Sequence, residues 1–271
     1  MSRTIAVAPN GMVVAGADTG DQVILLDAAG NEIKTLLTIQ SNPRDLDFSA
    51  NGSLLGVSAY EADYGASVHV FTMDWVTQSA TLLANLSANH YDDTFALRFS
   101  PDGDFLYVGG KDNNVTAYNT STWTIANIIE TTDNVYTIKT SPDGRFVAFT
   151  HGEELSVHWT SNGTEFFNAH DHSGYTLGLD WSPDGNWVVT GSSDDDVYVY
   201  HASNGTEHTN FSYSSDVNEI AFNKAGTHLV LATSDNDPTW IMRTSDWTIE
   251  ASFGDFSGGS GSGASGRRGA R

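Results

Sequence analysis

Trp181-Ser182-Pro183-Asp184-Gly185 carries one of six copies of a short turn pattern that recurs along the chain. In such a turn, proline presets the backbone, aspartate bonds back to nearby amides, and glycine takes the positive φ that ends the turn. Successive glycines are 41, 51, 41, 41 and 41 residues apart; the six copies end at Gly11, Gly52, Gly103, Gly144, Gly185 and Gly226. A period of about 40–45 residues is typical of a β-propeller blade.

The segments between these turns have the composition of β-strands. In the fifth repeat, short runs rich in Val, Tyr, Thr and Trp occupy residues 175–181, 186–191, 197–200 and 206–211. No long apolar run has helical spacing. The sequence therefore predicts an all-β propeller of six four-stranded antiparallel blades, with strands a to d in each repeat.

The blade count leaves two alternatives for ring closure. The first recognisable strand begins near Thr4 and is a strand a, whereas the last, residues 248–253, is a strand d. Either six blades close by side-chain packing, or the fold is a seven-bladed propeller with one blade missing from this chain. The second interval is ten residues longer than the others, and we expect the extra residues in two loops, at 60–66 and 85–93.

We assign residues 1–256 to the propeller and residues 257–271 to a flexible tail. The tail is rich in Gly and Ser, a composition typical of disordered linkers, so it takes no part in the predicted fold.

The charge of the chain excludes some partners. Asp and Glu number 34 against 12 Lys and Arg, giving a net charge of −22, which would repel nucleic acid. There are two interpretations of this acidity: a docking face for a basic partner, or a halophilic-like, hydrated surface that keeps the protein soluble in a salt-rich source.

Other classes are set aside on composition. With no cysteine, the chain can form neither disulfides nor thiolate metal sites. No segment approaches the roughly 20 apolar residues of a membrane helix, so we expect no membrane association. The first residues lack a secretory signal, so we expect a cytoplasmic protein, with an extracytoplasmic location left open.

The repeat resembles the WD40 family in blade length and in its aromatic-Ser-Pro-Asp-Gly turn. That family often pairs a histidine before strand a with an aspartate in the b–c turn. Counting from the strand-a aromatic residue places these at His90 with Asp112 and at His172 with Asp194, each pair 22 residues apart. The resemblance implies a structural hydrogen bond in both repeats.

The rest of the family pattern differs in this chain. The position of the family tryptophan holds Leu26, Phe71, Tyr118, Tyr200, Met242 and either His158 or Trp159, and only Leu26 precedes an aspartate. The resemblance therefore implies the fold and does not imply particular partners.

Acidic residues recur in the b–c turns and in the d–a loops, which share one face of a propeller. We predict that this face binds a protein or basic peptide through Tyr60, Tyr64, Tyr91, Asp92, Asp93, His170, Asp171, Asp195 and Asp196. The other interpretation is a solvated face whose carboxylates only stabilise turns. His170 and His172 point oppositely in an extended segment and lack a third ligand, so we predict no metal site and no cofactor.

A second set of charges lies one residue before the strand-a aromatic position. It predicts two inter-blade ion pairs near the central channel, Asp47 with Arg98 and Lys139 with Asp180. The functional alternative is a clamp for a charged ligand.

Catalytic motifs such as His-Glu-x-x-His, Gly-x-Ser-x-Gly and the EF-hand loop are absent from the propeller sequence. We therefore predict a non-enzymatic interaction scaffold with no small-molecule ligand. The alternative is an enzyme or small-ligand sensor at the channel mouth, which would need Arg44, Asp45, Asp47, Arg98 and Glu219 to converge in one pocket.

Overall fold

A computed structural model describes residues 2–17, 22–27, 29–38, 42–61, 65–87, 90–234 and 238–254. Across these ranges the chain forms 24 strands and no α-helix, arranged as six four-stranded sheets with antiparallel neighbours. The protein is thus an all-β propeller of six blades, as the repeat predicts. Among the described residues there is no helix long and apolar enough to span a membrane.

The first three blades contain strands β1 to β12 in chain order. Blade 1 consists of β1 (Ser2–Val7), β2 (Val13–Ala17), β3 (Gln22–Leu26) and β4 (Glu32–Thr38). Blade 2 consists of β5 (Asn42–Phe48), β6 (Leu54–Glu61), β7 (Gly65–Asp74) and β8 (Ser79–Asn85). Blade 3 consists of β9 (Thr94–Phe99), β10 (Phe105–Gly110), β11 (Asn114–Asn119) and β12 (Thr124–Glu130).

The last three blades contain β13 to β24. Blade 4 consists of β13 (Val135–Thr140), β14 (Phe146–His151), β15 (Glu154–Trp159) and β16 (Glu165–Ala169). Blade 5 consists of β17 (Thr176–Trp181), β18 (Trp187–Ser192), β19 (Asp196–His201) and β20 (Glu207–Ser212). Blade 6 consists of β21 (Val217–Phe222), β22 (His228–Thr233), β23 (Thr239–Arg243) and β24 (Thr248–Phe253).

The recurring turn explains why each a–b hairpin forms. In blade 5, the Ser182 hydroxyl donates to the Asp184 carboxylate at 2.6 Å and accepts the amide of Trp187 at 2.9 Å. Asp184 also accepts the amide of Asn186 at 3.0 Å, while Gly185 takes a φ of 72° and donates its amide to the Ser182 carbonyl. The turn therefore satisfies its own polar groups before any blade packs against another.

The first insertion in the long repeat forms more than the loop that the sequence predicts. β6 and β7 continue into it, and Tyr60 pairs with Ala66 across the lengthened hairpin. Since antiparallel strands can extend together without disturbing the core, the insertion is absorbed by added ladder pairs.

Side chains between blades form the core. Strand a lies innermost, because the a strands of successive blades contact one another. Five apolar cores join blade 1 to 2, 2 to 3, 3 to 4, 4 to 5 and 5 to 6; in the second, Leu97 packs with Val68 and Val70. Among the described residues no such core joins blade 6 to blade 1.

Candidate functional site

The b–c turns and d–a loops emerge at the same end of each blade because neighbouring strands are antiparallel. We call this end the loop face. Its described carboxylates are those of Asp92, Asp93, Asp112, Asp133, Glu153, Glu154, Asp171, Asp194, Asp195, Asp196 and Asp216. The other acidic residues predicted here, Asp18, Asp21, Asp63, Asp235 and Asp237, lie outside the described residues, as does the side chain of Glu61.

Three aromatic side chains cross the loop face at the inner end of blades 3 to 5. The rings of Phe95 and Tyr136 are stacked, with centroids 6.0 Å apart, and Tyr136 lies 5.5 Å from Tyr175. Tyr175 is 53% exposed. We call these three residues the aromatic row; they follow the d–a loops directly, so they stand beside the channel mouth.

Sequence reasoning missed the aromatic row. Phe95 and Tyr136 are 41 residues apart and thus occupy the same position in successive blades. That spacing is a signal in the sequence, but it falls on the first residues of strand a and not on the turns and loops that suggested the other contacts.

A cleft of about 480 Å³ opens on the loop face beside the aromatic row. It lies between blades 4 and 5 and includes Asp133, His151, Glu153, Glu154, His170 and Tyr175 in its lining. Tyr175 therefore belongs both to the cleft and to the aromatic row. Three carboxylates beside an exposed aromatic ring suit the charge and the stem of a Lys or Arg side chain.

Hydrogen bonds hold the floor of this cleft. Glu154 accepts from the Asn168 amide at 3.0 Å and lies 3.4 Å from the exposed His170 ring. Burial lowers the pKa of His151 below its usual value, although the nearby Glu154 carboxylate opposes that shift. A neutral His151 adds no positive charge, so the cleft keeps its negative character near neutral pH.

The predicted contact residues have different surroundings. Tyr91 is 89% exposed, and Asp92, His170 and Asp171 are also exposed on the loop face. Asp195 is half-buried in its turn with a φ of 71°. These residues lie on the d–a loops and b–c turns of two separate regions, blade 3 and blade 5.

Two of the residues predicted to contact a partner already bind other residues of the protein. Asp93, predicted as a partner contact, is buried and binds Lys111 at 2.7 Å within the protein. Half-buried Asp196 accepts the hydroxyl of Ser212 at 2.5 Å. Tyr64 and the side chain of Tyr60 lie outside the described residues.

The His90 and Asp112 side chains meet in blade 3. Their closest atoms, Nδ1 and Oδ2, are 2.9 Å apart, and the Tyr118 hydroxyl lies 3.0 Å from Nε2 of the same ring. Both ring nitrogens are therefore occupied, which fixes the d–a loop to the b–c turn and to strand c.

The His172 and Asp194 side chains make the equivalent contact in blade 5, at 3.1 Å. The second ring nitrogen lies 2.9 Å from the Thr190 hydroxyl, and Asp194 also accepts the amide of Ser173 at 2.7 Å. Burial lowers the pKa of His172, with Asp194 opposing the shift. These bonds hold one wall of the cleft in place.

Strand-a carboxylates join neighbouring blades near the channel. Asp47 of blade 2 binds the Arg98 guanidinium of blade 3 at 2.8 Å and accepts the amide of Phe99 at 2.7 Å. Two places earlier, Asp45 accepts the amide of Leu97 at 3.0 Å. Burial raises the pKa of Asp47, while the charge of Arg98 opposes that shift.

The other predicted pair is not formed. No ion pair within 4.0 Å joins Lys139 to Asp180, both of which the structure describes. Asp180 instead accepts the amide of Phe222 in the next blade at 2.8 Å. This amide uses one oxygen of the Asp180 carboxylate, and the charge of Lys139 acts on that carboxylate from beyond ion-pair distance.

These hydrogen bonds concern the alternative of an enzyme or small-ligand site at the channel mouth. The carboxylates of Asp45 and Asp47 accept amides of blade 3 and so brace the ring, and the charges of Asp45, Asp180 and Glu219 also act on the Arg98 guanidinium. In the part of the chain that the structure describes, no cluster of three metal-binding side chains is present.

A family model described as WD domain, G-beta repeat matches residues 80–119 and 162–201. Each match contains one of the two histidine–aspartate contacts, His90 with Asp112 and His172 with Asp194. Two of the six repeats thus match the WD40 family model. These two matched repeats keep the loop-to-turn contact in blades 3 and 5 and have buried Tyr118 and Tyr200 in place of the family tryptophan.

Several curated proteins are similar to parts of this chain. COMPASS component SWD3 of Saccharomyces cerevisiae is 33% identical over 98 residues, covering 36% of this chain and 31% of the relative. LEC14B protein of Lithospermum erythrorhizon is 28% identical over 162 residues, covering 52% and 34%. A chromatin assembly factor 1 subunit of Gallus gallus is 25% identical over 142 residues, covering 44% and 25%. The chain thus spans about a third or less of these relatives.

Proposed function

We propose that this protein is a non-enzymatic scaffold whose loop face binds a basic segment of a partner protein. The observation that carries the proposal is the position of Tyr175, which joins the aromatic row to the acidic cleft between blades 4 and 5. An exposed aromatic anchor next to carboxylates offers both apolar contact and charge to one cationic side chain.

The charge distribution also supports a basic partner. Glu153 and Asp171 are exposed on the loop face, and the whole chain carries a net charge of −22. Such a field speeds the encounter with a basic partner and repels an acidic one. The loops are held by the propeller, so ordering them on binding costs little free energy.

The similar proteins support a scaffold role. The names of two of them identify a component of COMPASS and a subunit of chromatin assembly factor 1, which are assemblies of several proteins. A WD40 propeller that works by holding other proteins is consistent with those names. The loop face of this chain is the surface on which we place that role.

The test uses peptides selected from a random phage-displayed library on the intact protein at low ionic strength. We expect the selected peptides to be enriched in Lys and Arg. Glu153→Lys and Tyr175→Ala are each expected to weaken binding of a selected peptide about tenfold, since an aromatic anchor or a facing charge is worth roughly 1–2 kcal/mol.

Asp104→Lys is the matched control, because Asp104 is an equally exposed carboxylate in an a–b turn, at the other end of its blade. We expect this variant to bind within about twofold of the original protein, as a distant surface charge changes little at moderate salt. Equal weakening by Asp104→Lys and Glu153→Lys would refute the loop face as the binding surface. Selection of peptides without excess Lys and Arg would refute the basic partner.

A further inference from the structure

One face of blade 1 is exposed, although the corresponding face of every other blade is buried. Ile5 pairs with Ala15 in β1 and β2, at the register position that Leu97 occupies in blade 3. Leu97 is fully buried, whereas Ile5 is 63% exposed and Val7, two places later, is 62% exposed. Since strand-a side chains at these positions pack against the preceding blade, the preceding blade is missing from this face of blade 1.

Strands b and c of blade 1 show the same exposure. Val13 and Leu26 pair with each other and are half-buried. The equivalent pair in blade 3, Leu106 and Tyr118, is fully buried. The exposed face thus extends across the three inner strands of blade 1.

Blade 6 is exposed on its opposite face, the face that packs against the next blade in the closed interfaces. Val230 and Ile241 pair across β22 and β23 and are half-buried, while their equivalents in blade 5, Val189 and Val199, are fully buried. On strand d, Phe253 is 59% exposed. In each closed interface this face packs against the next blade.

On the channel side, strand-a aspartates add a hydrogen bond to two of the closed interfaces. Asp47 and Asp180 accept the amides of Phe99 and Phe222 in the following blades. The same position holds Ala6, Arg98 and Lys139 in blades 1, 3 and 4 and Ala221 in blade 6, so only two of the five closed interfaces have this hydrogen bond. Blades 6 and 1 therefore share neither an apolar core nor this hydrogen bond among the described residues.

The two exposed faces border one space in the ring, which limits what can occupy it. In a second copy of this chain, every blade already packs at least one apolar face against a neighbouring blade, so none has two free faces for this space. Residues 255–271 contain one Phe and no Val, Leu or Ile, so this stretch cannot cover two apolar faces. A single sheet with apolar side chains on both sides meets both faces at once, as blades 2 to 5 do between their neighbours.

We propose that the space between blades 6 and 1 is the docking site for one β-sheet segment of a partner protein, which completes the ring as a further blade. The occupant is apolar on both faces. This site is separate from the loop face, and neither proposal depends on the other.

The test uses thiol labelling, because the chain contains no cysteine. Ile5→Cys and Leu97→Cys place single thiols at equivalent positions of blades 1 and 3. In the intact protein we expect the Ile5→Cys thiol to react with a maleimide about 100-fold faster than the Leu97→Cys thiol, since only the latter needs local opening. Equal, slow labelling would mean that the face is already covered and would overturn the proposal.

A synthetic peptide of residues 173–214, the sequence of blade 5, is the probe for the occupant. At about ten times its dissociation constant it is expected to slow labelling of Ile5→Cys roughly tenfold and to leave Leu97→Cys unchanged. The matched control peptide carries Leu179→Asp and Val199→Asp, one substitution on each apolar face, and is expected to give no protection.

A fusion of the same sequence directly after Gly254 serves as the second measurement. We expect it to protect Ile5→Cys as the separate peptide does. Unchanged labelling with both peptide and fusion would overturn the docking site, and protection by the fusion alone would overturn a separate partner as its source.

Discussion

Leu179→Ala is expected to lower the free energy of unfolding by about 3 kcal/mol, within the range for removing a leucine side chain from a packed core. Leu179 lies on strand a of blade 5 and is fully buried in the core between blades 4 and 5. Ile5→Ala, at the equivalent position of blade 1, is expected to cost less than about 1 kcal/mol because that side chain is exposed already.

Urea titrations followed by tryptophan fluorescence measure both losses in the same buffer. Ile220→Ala in blade 6 is the second buried comparison and is expected to behave as Leu179→Ala does, since Ile220 is fully buried in the core with blade 5. An Ile5→Ala loss as large as the other two would show that blade 1 packs against a neighbour on both faces.

Asp47→Ala is expected to cost about 3 kcal/mol, at the low end for breaking a buried ion pair because Arg98 keeps 26% side-chain exposure. The substitution removes the partner of the guanidinium and the acceptor of the Phe99 amide together. The measurement is again the free energy of unfolding in urea at pH 7.

Two variants separate these contributions. Asp47→Asn keeps an oxygen for the Phe99 amide and loses only the charge, so its cost is expected to be smaller. Asp180→Ala removes an amide acceptor that has no arginine beside it, and we expect a loss of about 1–2 kcal/mol. If Asp47→Ala costs no more than Asp180→Ala, the Arg98 contact contributes nothing to stability.

Much of the fold could be predicted from the sequence because its local chemistry repeats. The Ser182 to Gly185 turn satisfies its own polar groups, and residues 248–253, expected as the last strand, form β24. The state of ring closure could not be predicted, since Ile5 is as apolar as the buried Leu97. Only the position of the neighbouring blade decides whether such a side chain is covered.

The site was less predictable because it depends on side-chain direction. The spacing of 22 residues indicated the His90 and His172 contacts, since both partners of each pair lie at fixed places in a repeat. The same kind of spacing did not predict the Asp180 contact, since that carboxylate accepts the Phe222 amide and Lys139 stays beyond ion-pair distance. Backbone donors do not appear in a comparison of side-chain charges.

The loop face as a charged docking surface is tested most directly by the salt dependence of peptide binding. The affinity of a library-selected basic peptide for the intact protein is measured by fluorescence anisotropy between low and high ionic strength. We expect the affinity to fall at least about tenfold between 0.05 and 0.5 M salt, because exposed charges are screened over that range. An affinity that stays constant across the range would contradict electrostatic docking on the loop face.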